Sequence, residues 1–143
     1  MLSAYPACFI KEETGYSVIF PDLNYTATCG DTLEEAFAMA IDCLAGYVHS
    51  CREEGEDIPS PSHLQDIRLE DVKAELELDN IREGSFVNMV TVDVAEYART
   101  HFNKSVKKTL SIPAWLNAAA LEQGINFSQV LQDALKSQLH LSR

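Results

Sequence analysis

The chain lacks several features that would place it in a familiar class of protein. It has no apolar run near the roughly 20 residues that a membrane-spanning helix requires. It also does not open with the charged, apolar and small-residue segments of a secretory signal. The sequence therefore predicts a cytoplasmic protein that does not enter a membrane.

Residues that often build chemical sites are sparse and unpatterned. The four cysteines show no Cys-x-x-Cys spacing, and the four histidines show no spacing typical of metal ligands. There is no Gly-rich phosphate loop, and no motif pairs a Ser or Cys nucleophile with a His base. We therefore expect reduced thiols, no metal, no cofactor and no catalytic residues.

Basic residues are scarce, and their distribution is uneven. Residues 1–103 contain 6 Lys and Arg against 20 Asp and Glu, a net charge of −14, whereas residues 104–143 contain 5 against 2, a net charge of +3. An acidic surface repels nucleic acid and attracts basic partners, so the two parts predict different partners. A chain of 143 residues with 46% hydrophobic content can bury one core and carry a small module. We predict a body at 1–103 and a module at 104–143.

The basic module is predicted to begin with one short strand. Its apolar face is interrupted by a lysine and carries Val106, Lys108, Leu110 and Ile112. Its other face is polar and carries Lys107, Thr109 and Ser111. Pro113 ends the strand, and two helices are expected at 114–123 and 126–139. Asn126 is the expected N-cap of the second helix, with Gln129 completing a capping box.

A lone strand leaves backbone groups and an apolar face uncovered, so this strand needs a partner. A second copy of the chain would supply one by antiparallel pairing, and a two-stranded ribbon fits the major groove of DNA. The polar face would then meet base edges through Lys107, Thr109 and Ser111. Lys108 would add affinity for any DNA sequence. The amides of Phe127 and Ser128, which follow the Asn126 cap, would meet a phosphate. The alternatives are an ordinary exposed strand edge and an ordinary helix cap.

Two stretches of this module resemble the ribbon-helix-helix family of DNA-binding dimers. They read Lys-Lys-Thr-Leu-Ser-Ile-Pro at 107–113 and Gly-Ile-Asn-Phe-Ser-Gln-Val-Leu-Gln-Asp-Ala-Leu at 124–135. The resemblance implies a homodimer that binds operator DNA through the major groove. It leaves open whether dimers pair into tetramers.

β-Branched and alternating residues predict four strands in the body, at 4–11, 16–20, 24–29 and 86–94. A long helix is expected from an N-cap at Asp31 to an end at Gly55. The helix face expected to lie across the sheet carries Leu33, Phe37, Ile41, Leu44 and Val48. Residues 70–78 fit a helix and a strand about equally, and we interpret them as a helix. Residues 96–103 are polar and are expected to form the connector.

Three stretches of the body resemble the HicB antitoxin family. They read Tyr-Ser-Val-Ile-Phe-Pro-Asp-Leu at 16–23, Ala-Thr-Cys-Gly-Asp-Thr-Leu-Glu-Glu-Ala at 27–36 and Ile-Pro-Ser-Pro-Ser at 58–62. The chain departs from the family at Asn24 and Tyr25, which replace its usual Pro-Gly, and at 63–85, which is longer than the compact form. The resemblance implies an α+β fold with a reduced ribonuclease-H-like body. It also implies a basic, RNA-cleaving HicA-like toxin as the partner.

Together these features predict an antitoxin that sequesters its toxin and represses its own operon as a DNA-binding dimer. The acidic segments 53–57 and 70–77 are either solvated surface or a surface that steers the basic toxin. One alternative function is a ribonuclease-H-like nuclease tethered to DNA, for which Asp22 and Asp93 are the candidate carboxylates. We expect instead that Asp22 shapes a turn and that Asp93 is a solvent-facing strand residue. Another alternative is a ligand-sensing ribbon-helix-helix repressor.

Overall fold

The computed structural model describes residues 1–102 and 105–141. The chain forms two units, Met1–Lys104 and Ser105–Arg143. The strands, all in the first unit, are β1 (Ser3–Lys11), β2 (Tyr16–Phe20), β3 (Thr26–Gly30) and β4 (Phe86–Val92). The helices of that unit are α1 (Leu33–Glu54), α2 (Leu69–Glu75) and α3 (Val94–His101). The helices of the second unit are α4 (Ala114–Glu122) and α5 (Phe127–Gln138).

The four strands form one antiparallel sheet with the order β3-β2-β1-β4. β1 lies inside the sheet, where Cys8 is opposite Ile19 of β2 on one side and Val87 of β4 on the other. The hairpin between β1 and β2 closes at Gly15, whose φ of 76° is in the left-handed region that favours glycine. The predicted three-stranded meander with a returning fourth strand is confirmed, but β3 begins two residues later than predicted, because Asn24 and Tyr25 have left-handed φ values of 56° and 57°.

α1 covers one face of the sheet and encloses the main core. Buried members of this core include Phe9, Phe20, Ala36, Ala40, Leu44 and Val48. The predicted helix face is correct at Leu44 and Val48 but wrong at Leu33, which is 42% exposed. Two alanines occupy the helix positions nearest the sheet and allow close approach, so Phe37 and Ile41 pack at the edge of the core.

The ends of α1 follow from two local signals. Its N-cap is Thr32, whose hydroxyl accepts the Glu35 amide at 3.1 Å. The prediction that Asp31 is the cap is wrong by one residue, because Thr32 is the residue with extended backbone that directly precedes the helix. The predicted end at Gly55 is confirmed, since its φ of 69° is left-handed and its N–H donates to the Cys51 carbonyl.

A third helix, α3, forms most of the segment that was predicted as a connector, so that prediction is wrong up to His101. Val94 in its first turn is 1% exposed and belongs to the main core. The Tyr97 hydroxyl donates to the Asp42 carboxylate of α1 at 2.9 Å. In the sequence, Val94 continues the apolar alternation of β4, so the predicted strand extends into the first turn of α3 and conceals a helix in which Val94, Tyr97 and Ala98 have helical spacing. Asn103 lies outside the described residues.

Asp93 is the N-cap of α3 rather than a solvent-facing strand residue. β4 ends at Val92, and the Asp93 carboxylate accepts the Glu96 amide at 3.1 Å. This backbone hydrogen bond is the main reason that the pKa of Asp93 lies below its ordinary value. Asp93 is therefore a poor candidate for the nuclease alternative, because its carboxylate already accepts a hydrogen bond from the backbone of α3.

The opposite face of the sheet carries a smaller core beneath α2. Its buried members are Cys8, Ile10, Ile19 and Val72. Burial raises the pKa of the Cys8 thiol to about 11, so this thiol stays protonated at neutral pH. The helical interpretation of 70–78 is confirmed, although α2 ends at Glu75. The chain then turns at Glu77, whose φ of 54° is left-handed.

Candidate functional site

The second unit has no core of its own among its described residues. Every residue from 105 to 141 is exposed except Ala120 and Leu131, which are half-buried. Large apolar side chains left in solvent include Val106, Leu110, Trp115, Leu121, Val130 and Leu139. So much apolar exposure on so short a module indicates that a partner must cover it.

A cleft of about 520 Å³ lies between the two helices of this unit and residues 105–113, which are called the extended segment below. Its apolar lining consists of Leu110, Ile112, Phe127, Val130, Leu131 and Ala134. Lys108, Asn117 and Ser128 also line it. Apolar side chains from another chain would fill this cleft and supply the core that the unit lacks.

Residues 105–113 form neither a helix nor a strand within one chain. The predicted strand therefore has no partner among the described residues of a single copy. The predicted alternation is nevertheless present, since Lys108, Leu110 and Ile112 line the cleft. The side chains of Lys107, Thr109 and Ser111 do not line it and are exposed. Lys108 thus lies on a different side of the segment from Lys107, Thr109 and Ser111, the other three residues of the segment predicted to contact DNA.

The N-terminus of α5 brings the remaining candidate residues together. The Asn126 side chain accepts the Gln129 amide at 3.0 Å, which confirms Asn126 as the N-cap. The predicted capping box is wrong, because the Gln129 side chain donates to Asp133 at 3.0 Å instead. Phe127 and Ser128 in the first turn also line the cleft, beside the extended segment.

In the first unit, two anchors fix the loop that follows α1. The backbone N–H and the hydroxyl of Ser62 both donate to the Asp22 carboxylate, each at 2.7 Å. The Tyr5 hydroxyl donates to the Pro59 carbonyl. Asp22 therefore does more than shape the predicted turn, because it also holds a loop 40 residues away in sequence. The exposed acidic stretch 53–57 consists of the last two residues of α1 and the three residues that follow, and it precedes these anchors in the sequence.

A groove of about 780 Å³ runs between α1 and α3. Sequence analysis did not identify it, because α3 was predicted as a connector. Among its lining residues, Arg99 is already paired with Glu96, and the His49 ring lies 4.0 Å from the Glu53 carboxylate. The groove therefore offers little unpaired charge to a ligand.

Neither metal chemistry nor a membrane span finds support in the part of the chain that the structure describes. There, no group of three or more His, Cys, Asp or Glu side chains is arranged to hold a metal ion. Both candidate carboxylates, Asp22 and Asp93, are held by local hydrogen bonds. Within those same residues, no helix has the length and apolarity needed to cross a bilayer.

The sequence is similar to proteins of one family over most of its length. The family model described as the HicB-like antitoxin of bacterial toxin–antitoxin systems matches residues 5–134. Antitoxin HicB 2 of Photorhabdus laumondii is 47% identical over 58 residues, which cover 41% of this chain and 42% of that protein. Antitoxin HicB 1 of the same organism is 48% identical over 50 residues, which cover 35% of this chain and 32% of that protein. The chain thus spans less than half the length of these two curated relatives.

The fold is also similar to that of a chain in the solved toxin–antitoxin complex from Streptococcus pneumoniae. The two chains are 35% identical and superpose with a TM-score of 0.64. The match covers 96% of this chain and 99% of the other. The predicted mixed α+β class is therefore confirmed, with one four-stranded antiparallel sheet and five helices in the described residues.

Proposed function

Because this chain belongs to the HicB-like antitoxins of bacterial toxin–antitoxin systems, we propose that it sequesters a basic, RNA-cleaving HicA-like toxin and represses its own operon in the cytoplasm. The body, residues 1–103, binds the toxin. The tail, residues 104–143, pairs with a second copy and binds operator DNA. The members of this family are antitoxins and not enzymes, which confirms the expectation that the chain is not an enzyme.

The observation that carries the proposal is the division of charge and uncovered apolar surface between the two parts. The body carries −14 and the tail +3. An RNA-cleaving toxin has to be basic to hold RNA, so it is attracted to the body. DNA is attracted to the tail and repelled by the body.

The tail has the features of a ribbon-helix-helix module that is completed by dimerisation. Pairing of two extended segments would form the missing ribbon and bring two apolar clefts together. The exposed side chains on the far side of the segment, Lys107, Thr109 and Ser111, would then face base edges in the major groove. At the start of α5, the amides of Phe127 and Ser128 behind the Asn126 cap would meet a phosphate.

The body is best interpreted as a reduced ribonuclease-H-like fold that has kept the architecture and not the chemistry. Its strand order and long helix support that interpretation, while the antiparallel direction of β4 beside β1 departs from it. Two-metal phosphoryl transfer needs several carboxylates that converge on one point. Asp22 instead anchors a loop and Asp93 caps a helix.

Binding to the chain's own promoter tests the tail. Thr109→Ala and Ser111→Ala should each relax the preference at particular base pairs by about 1–3 kcal/mol, because each removes a groove-facing hydroxyl. Lys108→Ala should weaken binding to every sequence and reduce the slope of affinity against salt by about 1, since its long side chain can reach from the cleft edge to a phosphate. Footprinting and titrations at several salt concentrations measure both effects.

Lys136→Ala is the matched control, because it removes one positive charge near the end of α5, away from the extended segment. It should leave both the base preference and the affinity close to those of the wild type. Wild-type affinity and base preference in all three segment variants would show that the tail is not the part that reads DNA.

A further inference from the structure

The second face of the sheet is less completely closed than the first. Of the nine side chains in its small core, four are buried and five are half-exposed, whereas the main core has fourteen buried and eight half-exposed side chains. The half-exposed members are Tyr25, Ile67, Leu69, Ile81 and Val87. α2 contributes one buried side chain, Val72. The covering segment, residues 64–83, is called the α2 segment below, and it leaves this apolar surface only partly covered.

Two further leucines of the α2 segment are exposed to solvent. Leu64 and Leu76 are each 39% exposed. The Leu76 N–H donates to the Val72 carbonyl at 3.0 Å, so Leu76 lies one helical turn after the buried anchor and on the same side of α2. Half-exposed apolar side chains gathered around one buried anchor are typical of a protein–protein interface.

The charge of the α2 segment selects the kind of partner. The segment contains seven Asp and Glu against three Lys and Arg, a net charge of −4. Glu70 and Glu75, near the two ends of α2, are both exposed. A second copy of the body carries the same −14 and would be repelled, whereas a basic protein would be attracted.

We propose that the basic toxin docks on the α2 segment, with Leu76 as an apolar anchor and with Glu70 and Glu75 steering its approach. This inference rests on the proposed antitoxin function and assigns that function a surface. The toxin completes the burial of the second core, so the apolar contacts set the lifetime of the complex. The carboxylates at the rim set the rate at which it forms.

The test measures association and dissociation rates between full-length variants and a purified HicA-like toxin. Leu76→Asp should weaken binding by about 30-fold or more, mainly through faster dissociation, because it places a charge at the anchor. The double variant Glu70→Lys, Glu75→Lys should slow association by about 10-fold at low salt and change dissociation little. Met39→Asp is the matched control, since Met39 is 38% exposed on α1, across the sheet. It should bind like the wild type.

Thermal unfolding of each variant separates a lost interface from a lost fold. If Leu76→Asp unfolds at a lower temperature than the wild type, the test depends on the double glutamate variant alone, because Glu70 and Glu75 are both exposed and their replacement should not disturb the fold. Wild-type rates in the folded variants overturn the proposed surface. A change in oligomeric state with unchanged toxin binding overturns it as well, in favour of an interface between copies. If the wild-type chain itself does not bind the toxin, the antitoxin function fails, and the docking surface with it.

Discussion

Leu110→Pro should disrupt the proposed dimer and leave the protein monomeric. Leu110 lines the cleft of the tail and is 62% exposed in a single chain, so its side chain is available to a second copy. Proline removes a backbone donor from the ribbon and an apolar contact from the cleft, at a cost of about 3 kcal/mol or more per strand. With two strands in the ribbon, the dissociation constant should rise by roughly four orders of magnitude. Sedimentation velocity over a range of concentrations measures the change.

Leu110→Val is the control for this substitution. Valine keeps the backbone N–H and most of the apolar volume, and its β-branched side chain favours an extended backbone. This variant should therefore remain dimeric at the concentrations where Leu110→Pro is monomeric. A dimer that persists in Leu110→Pro would show that the body holds the two copies together.

Gly30→Ala should destabilise the body by about 3 kcal/mol, at the upper end of the range for an overpacked site. Gly30 ends β3, where the sheet meets the start of α1. A Cβ at this position would lie 2.4 Å from the backbone nitrogen of Ala36 and 2.7 Å from its Cα. Backbone atoms of a helix cannot move aside as a flexible side chain can, so α1 would have to shift away from the sheet. Urea unfolding measures the loss.

Gly55→Ala separates packing from backbone strain. Gly55 has a φ of 69°, but a Cβ there would meet no atom within 4 Å. Only the strain of a left-handed alanine remains, and its cost is about 1 kcal/mol. If Gly30→Ala were no more destabilising than Gly55→Ala, α1 would not pack on the sheet as closely as described.

The sequence alone predicts most of the body because its elements carry local signals. Alternation and β-branching identify the four strands, and the Gly55 signal identifies the end of α1. The errors occur where a local pattern is ambiguous. Asp31 and Thr32 are adjacent residues that both favour caps, and the backbone selects Thr32. Val94 continues the β-branched run of β4, so the sequence assigns the first turn of α3 to the strand.

Local sequence patterns do not predict contacts between residues that are distant in sequence. The hydrogen bonds from Ser62 to Asp22 join residues 40 apart, and the one from Tyr97 to Asp42 joins residues 55 apart. No local pattern in the sequence indicates which residues pair, because side chains with a hydroxyl or a carboxylate are common on protein surfaces. The acidic charge of 70–77 is evident in the sequence, but the exposure of Leu76 beside the buried Val72 is evident only in the structure.

In the tail, the sequence predicts which side chains share a face but not the strand pairing, which needs a second strand. The alternation from Val106 to Ile112 predicts which side chains share a face, and three of them do line one cleft. The strand itself depends on hydrogen bonds to another strand, so a single chain does not form it. Its role in dimerisation and in binding DNA therefore remains a prediction, as do the contacts assigned to Lys107, Thr109 and Ser111.

The measurement that tests the central claim most directly is RNA cleavage by a purified HicA-like toxin, titrated with the full-length chain in the presence of magnesium. The account predicts that cleavage falls as the chain is added and stops when there is about one toxin-binding site on the chain for each toxin molecule. It also predicts that the chain alone leaves the RNA intact. Toxin that still cleaves RNA in the presence of excess chain, or RNA cleaved by the chain itself, would contradict the antitoxin function.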